Sequence, residues 1–237
     1  MTRAPDLSYP VPDWAPPLAP AGAVLSGHYC RLVPLQAEAH AALLFNAYQG
    51  HAENWRFMPY GPFSSAAQYH RWVRHTVEDK AHLFYVIHDL DTVTLGGVAS
   101  YLRIKPEVGS IEIGNINFAP SLQRARAATE AIYLMMRWAF TAGYRRLEWK
   151  CDAQNIASRR AAQRLGLTYE GVFRQASVVK GRNRDTAWFA AIDAEWPALD
   201  QAFSVWLTPA NFAPGRHQKE RLSDLTRLVR VGSDPIL

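Results

Sequence analysis

Two stretches of this chain hold side chains whose types and spacing suit chemistry. In NIASRRAAQRLG, residues 155–166, Asn155 begins a short Arg-rich helix and Ser158 follows three positions later, directly after the strand RRLEWKC. An Asn at a helix start accepts a first-turn N–H, and a Ser in that turn bonds the backbone or faces outward. An ordinary surface helix begins this way, and so does one end of a cofactor site. In SIEIGNINF, residues 110–118, Ile111 and Ile113 share one parity and Ile116 and Phe118 the other. The phase slips by one residue at Gly114–Asn115, as a β-bulge would make it. A bulge that prises neighbouring strands apart leaves backbone N–H and C=O groups to satisfy, which an extended amide-rich ligand can do. A ligand-free bulge at a sheet edge has the same signature. Glu112 stands just before the slip, on the face opposite Ile111 and Ile113. It is either a proton acceptor beside the gap or a solvent-facing strand residue, the commoner fate of Glu.

These side chains need a frame, and the composition allows one. The 237 residues are 49% apolar and 12% aromatic, enough for a sizeable core. A net charge of +5 suits an anionic ligand and is equally common in plain soluble proteins. Cys30 and Cys151 are too distant for a disulfide framework or metal pattern and point to a reducing, cytoplasmic setting. Cys151 is in phase with Leu147 and Trp149 and reads as core. The 8 histidines show no ligand spacing, with His70 and His75 five apart and off a shared helix face, so no metal is expected. The chain shows neither a signal-peptide stretch nor a membrane span, and charge alone does not argue for nucleic acid. The oligomeric state stays open, a homo-oligomer included.

Three regions follow from pattern: a Pro-rich arm over 1–22 that packs through Trp14, a body over 24–206, and a basic tail over 207–237. Within the body, HYCRLVPL, HLFYVIHD, LGGVASYLRI, SIEIGNINF and RRLEWKC read as strands. QAEAHAALLFNAYQ, SSAAQYHRWVRHTVED, RARAATEAIYLMMRWAFTAG, NIASRRAAQRLG and EWPALDQAFSVWL read as helices, with Gly143 and Gly166 as stops. TYEGVFRQASVV and DTAWFAAID form a hairpin across KGRNR. The order predicts a mixed α/β sheet.

A bulged strand, a loop into a helix, a further strand, then N-x-x-S opening a helix that ends in RLG: this ordered set resembles the GCN5-related N-acetyltransferases. The closer likeness is to their ribosomal-protein N-terminal (RimJ/RimL-like) branch. It is carried by SIEIGNINFAPSLQRARAATEAIYLMMRWAF, LEWKCDAQNIASRRAAQRLGLTYEG and KGRNRDTAWF, roughly residues 24–196. The resemblance implies an α/β (α+β) fold with a mostly antiparallel sheet, a bulged strand splayed from its neighbour, and helices on both faces. It also implies an acetyl-CoA-dependent transfer to an amine acceptor, a peptide N-terminus or a small molecule. In that family a Q/R-x-x-G-x-G/A loop holds the pyrophosphate on backbone N–H groups at a helix start. Here it falls on Gln123, Arg124, Ala125, Arg126, Ala127 and Ala128, with Arg126 in the Gly place. Arg126 either adds bonds to phosphate or plugs the cradle, leaving a catalytically weak acyl-CoA-binding or partner-binding module.

The same resemblance places Asn155 on the pantetheine arm and Ser158 near the thioester sulfur. Many relatives carry a Tyr where this chain has Ala162, which leaves Ser158 as the candidate proton donor. Backbone N–H groups over Ile116, Asn117 and Phe118 would hold the oxyanion and the cofactor. Arg159, Arg160 and Arg164 read as a solvated or phosphate-proximal face. In NWRFMPYGPF, residues 54–63, Trp55, Phe57 and Tyr60 are candidate walls of the acceptor pocket, core packing being the alternative. Attack needs a neutral amine. At pH 7 a lysine costs roughly 4.6 kcal/mol to deprotonate and an α-amine about 1.4, so an α-amine asks less of a base such as Glu112.

Overall fold

Period-two alternation builds the frame. In the computed structural model, which describes residues 10–212 and 218–237, eight strands join one sheet. They are β1 (Leu25–Ser26), β2 (Cys30–Pro34), β3 (His82–Asp89), β4 (Thr94–Lys105), β5 (Ser110–Phe118), β6 (Arg146–Asp152), β7 (Thr168–Val179) and β8 (Arg182–Ile192). The order across the sheet is β1-β2-β3-β4-β5-β6-β8-β7, antiparallel everywhere except the β5–β6 pair. The helices are α1 (Ala37–Tyr48), α2 (Ala66–Glu78), α3 (Arg126–Thr141), α4 (Ile156–Arg164), α5 (Trp196–Leu207) and α6 (Leu222–Thr226).

The two faces of the sheet bury two cores. Phe84, Val86 and Val98 meet Leu44, Tyr48, Tyr69 and Val73 of α1 and α2. The alternate residues Tyr85, Ile87, Tyr101, Ile111 and Leu147 meet Ile132, Met135 and Phe203 of α3 and α5 on the other side. This is the expected mixed, mostly antiparallel sheet with helices on both faces. Ser65 caps α2 by accepting from Gln68 N–H. The β7–β8 hairpin turns on Lys180–Gly181, at φ +50 and +73, and Asn183 of the KGRNR stretch lies already in β8. Two left-handed residues in a two-residue turn match the twist of the strands.

The segments outside the body are packed rather than loose. Trp14 lies against Gly109, and Tyr144 and Tyr85 donate to the carbonyls of Leu18 and Ala23 at 3.3 and 3.1 Å. The first nine residues of the expected arm lie outside the described residues. The segment expected as a basic tail buries Leu222, Thr226 and Asp234, and Thr226 Oγ1 donates to Arg164 O at 3.0 Å. Gly166 stops α4 at φ +91, where an added Cβ would meet Leu199 and Thr226. Gly166→Ala therefore strains the backbone and overpacks the α4–α6 seam. A loss of about 2–3 kcal/mol is expected, read as a lower urea midpoint at unchanged slope.

Candidate functional site

The parallel pair ends early. β5 and β6 are in register at Ser110↔Arg146, Ile111↔Leu147 and Glu112↔Glu148, and part beyond. Across the other edge, Ser100 pairs with Gly114 and Val98 with Asn117, so two steps of β4 span three of β5. The slip read at Gly114–Asn115 is this bulge, and Asn115 takes φ +51, a conformation Asn tolerates. Its side chain is held on both sides: Nδ2 donates to Ser100 Oγ at 2.9 Å, and Tyr60 OH donates to Oδ1 at 3.4 Å.

After the bulge the backbone alternates again. Ala119 N–H donates to Gly96 O at 2.8 Å, which puts Asn117 and Ala119 toward β4 and Ile116 and Phe118 toward the gap. Asn117, expected among the donors facing a ligand, is thereby turned away. Its carbonyl accepts from Tyr48 OH at 2.8 Å and its side chain is buried. Phe118 O accepts from Asn54 Nδ2 at 3.1 Å and Gln123 Nε2 at 3.0 Å, so the Gln123 side chain ties the loop back to the strand.

A cavity of about 510 Å³ occupies the gap and reaches both faces of the sheet. Glu112 lines it and is only 3% exposed, so the solvent-facing alternative falls. Its Oε2 accepts from Arg103 Nη1 at 2.7 Å and lies 2.9 Å from Lys150 Nζ. Lys150 also pairs with Glu148 at 2.7 Å and sits 3.8 Å above the Trp188 ring. Oε1 carries neither cation and lies beside Gly114. On the opposite face Asn155 Oδ1 accepts from Ser158 N–H at 3.1 Å, the capping bond. Trp149 Nε1 donates to Ser158 Oγ at 3.0 Å, and both Asn155 and Ser158 line the cavity. The serine hydroxyl is thus held from behind by the indole. Burial pushes the neighbouring Cys151 thiol up to about 11, the Ser158 contact acting the other way.

The start of α3 shows where the Arg126 side chain goes. The left-handed residue of the preceding loop is Arg124, at φ +62, and Arg126 is the first helical residue. Position 126 therefore has no need of glycine's backbone freedom. The Arg126 guanidinium donates twice to Asp91 at 2.9 Å and lies 4.0 Å over the Tyr29 ring. No side chain caps α3 at Ala125. Its first N–H groups, including those of the buried Ala127 and Ala128, are left as an anion-binding end.

Arg159 corrects the sequence reading. Expected on a solvated or phosphate-proximal face, it is 1% exposed and donates twice to Asp234 at 2.6 Å, and once to Ala153 O at 2.7 Å. Arg164 donates to Thr129 Oγ1 at 3.0 Å, and Arg160 is exposed. Among the proposed walls, Phe57 lines the cavity. Trp55 does not: it is 5% exposed and packs against Tyr48, Phe63 and Tyr69, the core alternative. Tyr60 packs on Trp72 and reaches the cavity only through Asn115. Lys180 Nζ donates to Trp55 O at 2.8 Å, so the hairpin tip reaches across to this segment. Lys150 and Trp188 were not singled out from the sequence, since neither stands in a local motif. Among the described residues no three His, Cys, Asp or Glu side chains gather to hold a metal, and no helix is long and apolar enough to cross a membrane.

Comparison with known proteins adds the family. The sequence model of a family described as an acetyltransferase (GNAT) domain matches residues 30–168. A GCN5-related N-acetyltransferase from Brucella melitensis is 40% identical, with 92% of this chain and 100% of that chain covered at a TM-score of 0.89. A probable GNAT-family acetyltransferase from Chromobacterium violaceum is 40% identical, with 84% and 100% covered at 0.77. An acetyltransferase from Salmonella typhimurium, described as modifying the N-terminal serine of a ribosomal subunit protein, is 21% identical, with 72% and 99% covered at 0.62. At that identity it shares the fold alone. A comparison with curated proteins finds no match.

Proposed function

This chain belongs to the GNAT acetyltransferase family and is an acyltransferase; on that premise we propose that it transfers the acetyl group of acetyl-CoA to a primary amine. One observation carries the reading: the β5–β6 gap opens onto a cavity with Glu112 on one side and Ser158 on the other. The coenzyme A thioester supplies an acyl carbon open to attack by an amine. The uncapped start of α3 receives its diphosphate, and Asn155 lies where the pantetheine arm would enter. Ile116 and Phe118, whose backbone groups face the gap, offer N–H donors where charge builds on oxygen.

Glu112 is the proposed base. Its Oε2 is committed to two cations and Oε1 is left to take a proton, directly or through water. An acceptor that gives up its proton cheaply suits this arrangement, which favours an α-amine over a lysine side chain. Ser158 is the proposed donor to the departing sulfur, with Trp149 holding Oγ in place. Ser158→Ala is expected to lower kcat roughly tenfold to hundredfold, the low end of acid catalysis, because a thiolate leaves with little help. Calorimetric affinity for acetyl-CoA should hold in that variant. An unchanged kcat would reduce Ser158 to a cap.

The alternative, a catalytically weak acyl-CoA-binding or partner-binding module, rests on Arg126 as a plug and on the absence of a Tyr at the place of Ala162. The Asp91 and Tyr29 contacts of that guanidinium weigh against it. Titration with acetyl-CoA and with desulfo-CoA tests the donor. Micromolar binding of both supports a working cofactor site, and no binding of either overturns acetyl-CoA as the acyl source.

A further inference from the structure

Resting on this transfer reading, we infer that the acceptor carries an anionic group, a carboxylate or phosphate well separated from its amine, which Arg184 receives. The pairings Lys150↔Trp188 and Asp152↔Thr186 put Arg184, Thr186 and Trp188 on the face shared by Lys150 and Asp152. The pairing Glu112↔Glu148 adds Glu112 to that face. This is the side of the sheet opposite Ser158 and α4, the side open to an acceptor.

Three strong cations line the cavity, and they differ in one respect. Arg103 is paired with Glu112, and Lys150 with Glu112 and Glu148. Arg184 has no carboxylate partner, and its Nε is buried without a hydrogen-bond acceptor among the described residues. Asp152, on the same face, turns its carboxylate to Gln154 N–H at 2.8 Å. Trp188 Nε1 is likewise buried and unpartnered, and its ring stands between Lys150 and Phe173. A buried donor without an acceptor is costly, and a guanidinium is matched best by a planar or tetrahedral oxyanion.

Spacing gives the shape of the ligand. Glu112 is level with Glu148 and Ala190, and its carboxylate reaches Lys150, which is level with Trp188; from Trp188, Arg184 lies four residues along β8, about 13 Å of strand. One end of the acceptor is its amine at Glu112, and the other is its anion at Arg184. A short α-amino acid cannot span that length. An acidic peptide and a long amino-carboxylate both can.

The test compares matched acceptors under saturating acetyl-CoA, by release of free thiol. A serine-initiated tripeptide amide ending in glutamate is set against its glutamine counterpart, and 10-aminodecanoate against n-decylamine. The wild type should favour the acidic member of at least one pair by roughly tenfold to hundredfold in kcat/KM. In R184Q that ratio should fall to near one, while R184K, which keeps charge without the fork, should recover part of it. Retained acetyl-CoA binding in R184Q shows that the variant is folded. Preference in the peptide pair alone identifies a polypeptide acceptor, and in the other pair alone a small molecule. Equal turnover within both pairs of the wild type overturns the inference, whatever R184Q does. If neither pair is turned over, calorimetry of the acidic tripeptide and 10-aminodecanoate with the CoA-saturated protein decides. Binding that R184Q abolishes sustains the anion site and refutes transfer, and no binding overturns the site as well.

Discussion

Arg159→Met is expected to cost about 3–5 kcal/mol of stability, more than any other single change considered for this chain. The reason is what it leaves behind. Arg159 and Asp234 are fully buried, and the guanidinium satisfies both carboxylate oxygens at 2.6 Å. Taking away the cation strands a carboxylate where water does not reach, and Ala153 O loses its donor as well. Removing both charges together, as Arg159→Met with Asp234→Leu, should cost far less, because apolar side chains repack a site that an unpaired ion cannot occupy. Urea unfolding of the two singles and the double closes the cycle. A double that loses as much as Arg159→Met, with Asp234→Leu nearly neutral, would mean that packing of the arginine stem, not charge, holds α4. The single variant should also weaken acetyl-CoA binding, because α4 carries Asn155 and Ser158.

Glu112→Gln is expected to lower kcat/KM by about 10²–10³-fold with acetyl-CoA affinity intact, the loss of a positioned proton acceptor. Glutamine keeps the shape and the hydrogen bond from Arg103 but cannot take a proton. The fold should bear it. Lys150 retains Glu148 at 2.7 Å, and the Arg103 side chain is 54% exposed, so neither cation is left buried alone. Steady-state rates with a reactive acceptor, set beside calorimetry, separate the two effects. A fall in affinity matching the fall in rate would make Glu112 a scaffold for the β5–β6 seam instead.

The bulge was legible because it is local: parity along nine residues marks the slip at Gly114–Asn115, and the register bears it out. The sheet and its helices followed in the same way from period and caps. What the sequence hid depends on distant partners. Alternation told which face Glu112 occupies but not that Arg103, Lys150 and Trp188 cover that face. Phase with Leu147 made Trp149 core and concealed its N–H, which reaches Ser158. Arg159 looked solvated because its partner stands 75 residues on, in a segment whose charge suggested a loose tail. Arg126 looked like an obstruction because Asp91, 35 residues earlier, belongs to a turn with no motif of its own.

The Arg159–Asp234 clasp also orders events in time. A chain under synthesis displays α4 long before the residue that answers its buried guanidinium exists, and domains settle as their parts emerge. Until residue 234 is made, every side chain of the gap is present and the Arg159 guanidinium has no carboxylate to meet. A message cut short before residue 234 would yield a nascent protein with every side chain of the gap and an unanswered buried charge, a better substrate for proteolysis than the finished fold.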